Sequence, residues 1–149
     1  MINEYQLNQI LYNKNLNRNI IKSPKIFFGS PLKKFVNNIY NQFEIPKESF
    51  YLSMYYIRKF YNYNKNNKEQ LSNFFTNINY YIFVTIILSL KLILDETLNI
   101  RNMCTILFLD FEKYKLYELE LLKGLNWNIN YNNTDYYNFK QYLYIYVKS

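Results

Sequence analysis

Apolar residues recur along this chain at helical spacing, three and four positions apart, and the strict alternation of a half-buried strand is hard to find. Leu32, Phe35, Val36, Ile39, Tyr40 and Phe43 form one such stripe, preceded by Ser30 and Pro31. That pair is a good start signal, since the first offers a side-chain acceptor and the second a preset φ for the opening turn. A second helix is predicted after Ile45-Pro46, carrying Phe50, Tyr51, Met54, Tyr55, Ile57 and Phe60. The Asn- and Lys-rich stretch Asn62 to Lys68 has nothing to bury and should break it. A third helix lies within Leu71 to Leu94. Its residues Tyr80, Ile82, Phe83, Val84, Ile86, Ile87, Leu88 and Leu90 point in all directions, which suits the centre of a bundle. A short helix should follow from Asn99 to Leu109, with Asn99 as N-cap. Asp110 should cap the next, which carries Tyr114, Tyr117, Leu121, Leu122 and Leu125 and ends near Gly124 to Asn126. Further helices are expected at Ile2 to Tyr12 (Leu7, Ile10, Leu11) and at Asp135 to Val147 (Phe139, Tyr142, Leu143, Tyr146). The expected fold is all-α: five helices around a central third one, with an extra helix at each end.

Composition narrows what such a bundle can do. With 149 residues, 50% of them hydrophobic, the chain suits one domain with a buried core. It contains no His, one Cys and two Gly. Without His, the commonest general base is missing, as is every triad built on one, and a structural zinc site lacks ligands. Gly29 and Gly124 alone cannot form a dinucleotide fingerprint or a phosphate loop, which need several residues lacking a Cβ. Cys104 has no intramolecular disulfide partner, which points to a reducing, intracellular setting in nucleus or cytoplasm. Met1 to Gln6 lack the basic start and apolar stretch of a secretory leader. The most apolar run, Tyr80 to Leu90, is about half the ~20 residues a membrane span needs. The adjacent Asp95 and Glu96 would point apart on a helix, so they suggest no catalytic carboxylate pair. No enzyme activity, cofactor, metal or small-molecule ligand is expected.

The formal net charge of +7 is unevenly distributed. Residues 1–70 carry eleven Lys or Arg against four Asp or Glu, whereas residues 71–149 carry seven of each. The basic residues stand singly, apart from Lys33-Lys34 and Arg58-Lys59, so they read as a solvated face before they read as a nucleic-acid groove.

Three segments in order resemble the cyclin box. Ser89-Leu90-Lys91-Leu92-Ile93-Leu94-Asp95-Glu96 is similar to the end of that family's third helix, where a lysine follows a small and apolar run and acidic residues come shortly after. Glu118-Leu119-Glu120-Leu121-Leu122-Lys123-Gly124-Leu125-Asn126-Trp127-Asn128-Ile129 is similar to its fifth helix and exit. Upstream, Tyr56-Ile57-Arg58-Lys59-Phe60 stands where the family has Tyr-Leu-Asp-Arg-Phe. The resemblance covers residues 24–130 as the box, with 1–23 as an N-terminal helix or arm and 131–149 as a C-terminal helix. It is closest to the single-box P-type and U-type cyclins of phosphate pathways, because one box is followed by little more chain.

Lys91 most needs a physical account, since an ammonium at the end of an apolar helix costs desolvation unless it reaches water or an acceptor. Glu118 shares a face with Leu121, Leu122 and Leu125 and raises the same question. On residue chemistry alone, Lys91 snorkels past the core and Glu118 is solvated, or both are held by partners. The resemblance implies the second: a buried charge pair between the third and fifth helices that hydrogen-bonds the segment leading into a kinase's C-helix. It also implies that Leu88, Leu92, Leu122, Trp127 and Ile129 form the apolar floor of that groove. Trp127, the sole tryptophan, would be its hot spot. Arg58 replaces the aspartate that pairs with a first-helix arginine in the family, and Leu32-Lys33-Lys34-Phe35-Val36 lacks that arginine and the substrate-docking patch. The function implied is a non-catalytic subunit that binds and activates a cyclin-dependent-type Ser/Thr kinase. The alternative is a cyclin-box-like nucleic-acid or transcription-factor module, drawn from the basic first half.

Overall fold

The structure is a computed structural model that describes the backbone of residues 30–94 and 97–148, and side chains from 34–94 and 97–141. Outside these lie the helix expected at residues 2–12, the 1–23 arm, Asp95 and Glu96, and the side chains of Leu32, Tyr142, Leu143 and Tyr146. The described residues form seven helices: α1 (Ser30–Gln42), α2 (Lys47–Asn64), α3 (Lys68–Thr76), α4 (Ile78–Ile93), α5 (Ile100–Ile106), α6 (Phe111–Gly124) and α7 (Asn133–Lys148). Among them there is no strand, so the all-α expectation holds.

Helices α2 and α4 make the most extensive helix pair. Helix α4 is buried on every side, from Ile78 through Tyr81, Phe83, Ile86 and Ile87 to Leu90. Nearly as much of α2 is covered, including Phe50, Met54, Tyr56, Ile57 and Phe60. The buried polar side chains of the pair are all small: Ser49, Ser53, Thr85 and Ser89. In a chain without alanine, serine and threonine take the positions where helices need slim side chains. Three of their hydroxyls donate back to helix carbonyls, Ser53 to Phe50, Thr85 to Ile82 and Ser89 to Thr85, which limits the cost of burial.

The single helix expected within Leu71 to Leu94 is two. Helices α3 and α4 meet at an 87° bend at Asn77, whose φ of −116° and ψ of 33° leave the helical region. The cause is an asparagine side chain competing with the backbone. Its amide donates to the Asn73 carbonyl and to Asn73 Oδ1, both at 3.0 Å, while its own carbonyl accepts from the Tyr80 and Tyr81 amides. Asn73 Nδ2 in turn donates to Tyr81 Oη at 2.9 Å and fastens the corner. No single described helix is long and apolar enough to cross a membrane.

The expected caps of α5 and α6 are present. Asn99 Oδ1 accepts from the Asn102 amide, and Asp110 Oδ1 accepts from the Glu112 and Lys113 amides. Helix α5 stops three residues short of Leu109 because Phe108 takes φ 59°, with its amide on the Thr105 carbonyl and the Leu109 amide on that of Cys104. The Asp110 amide donates to Tyr80 Oη at 2.9 Å, pinning this turn to α4. Helix α7 begins at Asn133, two residues before the expected Asp135, because Asn132 Oδ1 caps the Thr134 and Asp135 amides. It packs on α2 through buried Phe139, the Tyr55 hydroxyl on Asp135 (2.8 Å), and Glu48, which holds both Tyr136 Oη and Lys140 Nζ.

Helix α6 approaches α2 at Gly124. A Cβ there would stand 2.1 Å from Phe60 Cε2, and the Phe60 ring is itself held by Phe74 and Tyr81 at centroid distances of 5.1 and 5.6 Å. The glycine is thus needed for close approach; among the described residues no glycine has positive φ. Replacing Gly124 with Ala should overpack this contact and cost about 2–3 kcal/mol, read as a lower urea midpoint with unchanged slope. An unchanged midpoint would show that Phe60 is free to move.

Candidate functional site

The end of α4 leaves the core at Lys91, where it faces α6. Lys91 Nζ lies 3.2 Å from Glu118 Oε2, across 27 residues of sequence. The same carboxylate oxygen accepts from Tyr114 Oη at 2.7 Å. Tyr114 is buried, and burial together with the Glu118 carboxylate pushes its hydroxyl well above the usual phenol range, so it remains a donor. The i, i+4 spacing of Tyr114 and Glu118 on α6 was the sequence signal for this contact, which an apolar-face reading of Tyr114 missed.

The pair is half-exposed, with 46% of the Lys91 side chain and 35% of the Glu118 side chain open to solvent. This corrects the expected buried pair. Screened by water on one side, the two charges contribute little to stability, and losing one does not strand the other in a dry interior. Their positions are nonetheless defined: Tyr114 fixes Glu118 from below, and Glu118 orients Lys91.

The apolar residues tied to this pair by sequence stand in different settings. Leu88 and Leu92 flank Lys91 on α4, Leu88 partly buried against the core and Leu92 46% exposed. Leu122, one turn beyond Glu118 on α6, is half-buried. Trp127 is 60% exposed and, among the described residues, makes no ring contact. Ile129 packs on the core, and its carbonyl accepts from Tyr56 Oη of α2. The structure therefore brings Lys91 and Glu118 together with Leu88, Leu92 and Leu122 beside them on the same two helices. Trp127 and Ile129 belong to the exit of α6, held from the α2 side.

That exit has a defined geometry. The Asn126 amide donates to the Lys123 carbonyl at 2.9 Å and the Trp127 amide to the Leu122 carbonyl at 2.8 Å, the bond pattern of a Schellman end. Asn126 takes φ 54° there, a position where Gly is commonest, and Trp127 follows at φ 59°. Left-handed backbone is tolerated by Asn but strained for a bulky aromatic. An indole that is both strained and exposed is held out of the core by its backbone. The sequence likeness marked residues 118–129 as a helix and its exit but could not foresee the exit's handedness.

At the α4 terminus, Leu90 and Leu94 also line a groove of about 610 Å³ with Phe43, Glu44, Ile45, Pro46, Leu98 and Met103. Among the described residues no cluster of His, Cys, Asp or Glu could hold a metal ion. Cys104 is buried, and burial, with the Asp110 charge, pushes its thiol above the usual range.

Lys91→Met should change the folding free energy by no more than about 1 kcal/mol, since the pair is half in water. Chemical denaturation checks this, and a loss of several kcal/mol would restore the buried-pair account. Comparison with known proteins leaves the site to be read from its own residues: no family model, no curated protein and no solved structure matches the chain.

Proposed function

We propose that this chain is a cyclin-like regulatory subunit, built on a cyclin box, that binds a cyclin-dependent-type Ser/Thr protein kinase and activates it. The observation that carries the reading is the Lys91–Glu118 pair at 3.2 Å, at the solvent-facing end of a core helix, with Leu92 exposed beside it and Trp127 exposed at the exit of α6. Two opposite charges that add little to the fold, fixed in place by a buried tyrosine, are suited to work outward. Lys91 keeps donors and Glu118 keeps acceptor sites for the backbone of a bound segment. Leu92 and Trp127 each gain about 1 kcal/mol or more when a partner covers what is still exposed.

The task assigned to this surface is to select a conformation. By gripping the segment that leads into the kinase's C-helix, the subunit favours the arrangement in which the kinase's own lysine and glutamate pair and its activation segment orders. It can shift that equilibrium only by its differential affinity for the active state, and reversing a 1:99 ratio takes about 5.5 kcal/mol. The subunit itself supplies no chemistry, in keeping with a chain that has no His and a buried lone Cys. Nuclear or cytoplasmic residence follows from such a partner.

The reading is tested with a purified cyclin-dependent-type kinase, by titration and phosphotransfer. Lys91→Glu and Glu118→Lys should each weaken binding by about tenfold or more, with stimulation of the kinase lost in proportion. The double reversal keeps an internal ion pair but presents it backwards, so it should fold and still bind poorly. Wild-type affinity in either single variant, or in the double reversal, would overturn the assignment.

A further inference from the structure

Helix α2 holds the exit of α6 through a row of polar side chains that the kinase-binding reading does not use. Lys59 Nζ donates to the carbonyls of Asn128 and Asn130, both at 2.8 Å. Tyr56, one turn earlier on the same helix face, donates its hydroxyl to the carbonyl between them, that of Ile129. Asn64, farther along, donates Nδ2 to the Gly124 carbonyl at 2.9 Å and to the Phe60 carbonyl at 2.7 Å. Three consecutive carbonyls, 128 to 130, thus end on two side chains of α2. Trp127 and its left-handed backbone lie between these bonds and the end of α6.

Among these donors, Lys59 is the one with charge. Its ammonium gives two hydrogen bonds to neutral carbonyls, and charge-assisted bonds of that kind are stronger than neutral ones. It bridges two residues of a loop that has no helix or strand of its own between Leu125 and Asn132. Loops without such ties are mobile, and ordering a mobile loop on binding lowers affinity. Neighbouring Arg58 does not share this role, since its guanidinium lies over the Phe139 ring, 5.3 Å from the centroid.

We infer that Lys59 is a positioning residue: it presets the Trp127–Ile129 edge in the free protein so that the edge meets a partner already ordered. The inference rests on the kinase-binding reading for what the edge meets. What Lys59 does to the edge is independent of that reading. The arrangement also gives a physical use to Lys59 in the Arg58-Lys59 step, which sequence reading noted only as an adjacent basic pair and a departure from the family.

The test compares the full chain with Lys59→Met, Lys59→Arg, Tyr56→Phe and, as a control on an exposed lysine of the same helix end, Lys65→Met. Hydrogen exchange at the Trp127 and Asn128 amides and steady-state fluorescence anisotropy of Trp127, the sole tryptophan, report the edge without any partner. Lys59→Met should speed that exchange by about tenfold and lower the anisotropy, while circular dichroism keeps its helix signal. Tyr56→Phe should act in the same direction, Lys59→Arg should retain most of the protection, and Lys65→Met should change nothing. With the purified kinase, Lys59→Met should weaken binding by about fivefold through the added cost of ordering the loop. Unchanged exchange and anisotropy in Lys59→Met would overturn the inference. So would a loosened edge with wild-type kinase affinity while Glu118→Lys abolishes binding. If the wild-type chain fails to bind the kinase at all, the regulatory-subunit reading falls, and the free-protein measurements alone decide what Lys59 does.

Discussion

Gly124 lies against the Phe60 ring with no room for a methyl group, and that contact fixes where α6 stands. Phe60 cannot yield, because Phe74 and Tyr81 hold it from the other side. Once α6 is set against α2 and α4, the rest of the candidate surface follows. Glu118 arrives opposite Lys91, Tyr114 enters the core beneath it, and the chain leaving α6 runs close enough to α2 for Tyr56, Lys59 and Asn64 to catch its carbonyls. The close approach at Gly124 and both groups of polar contacts lie along the same helix and its exit.

Much of this was legible in the sequence because helix periodicity and capping chemistry are local. The stripe from Leu32 to Phe43, the Asn99 and Asp110 caps and the all-round apolar character of α4 each need only a few neighbouring residues to be read. The bend at Asn77 was missed because the apolar pattern runs through it, and only a side chain turned back on its own backbone breaks the helix. Phe108 and Trp127 in left-handed backbone were equally hidden, since composition favours Gly or Asn at such positions. Of the candidate site, the sequence supplied the Lys91 and Glu118 pair but not its exposure, because burial depends on how far α4 protrudes beyond its neighbours. Tyr114 was visible only as an apolar-face residue, and Lys59 only as part of a basic step.

Exposure changes the physical meaning of the pair. A buried ion pair would be part of what holds the helices together, and its loss would be a stability defect. A half-exposed one leaves the fold nearly indifferent to it, so both charges stay open to groups outside the chain. The same logic applies to Trp127, which costs backbone strain and leaves most of its side chain in solvent. Features that a fold does not need, and that its neighbours nonetheless hold in place, are what a docking surface requires. The excess positive charge lies in residues 1–70, while the half carrying Lys91 and Glu118 is balanced.

The central claim is that the end of α4 and the exit of α6 together meet a kinase. Hydrogen-exchange footprinting of the full chain, with and without a saturating purified cyclin-dependent-type kinase, tests it most directly. The account predicts added protection confined to residues 88–93 and 118–130, with α3 and the outer face of α7 unchanged. Protection centred on those other elements, or none at saturation, would contradict it.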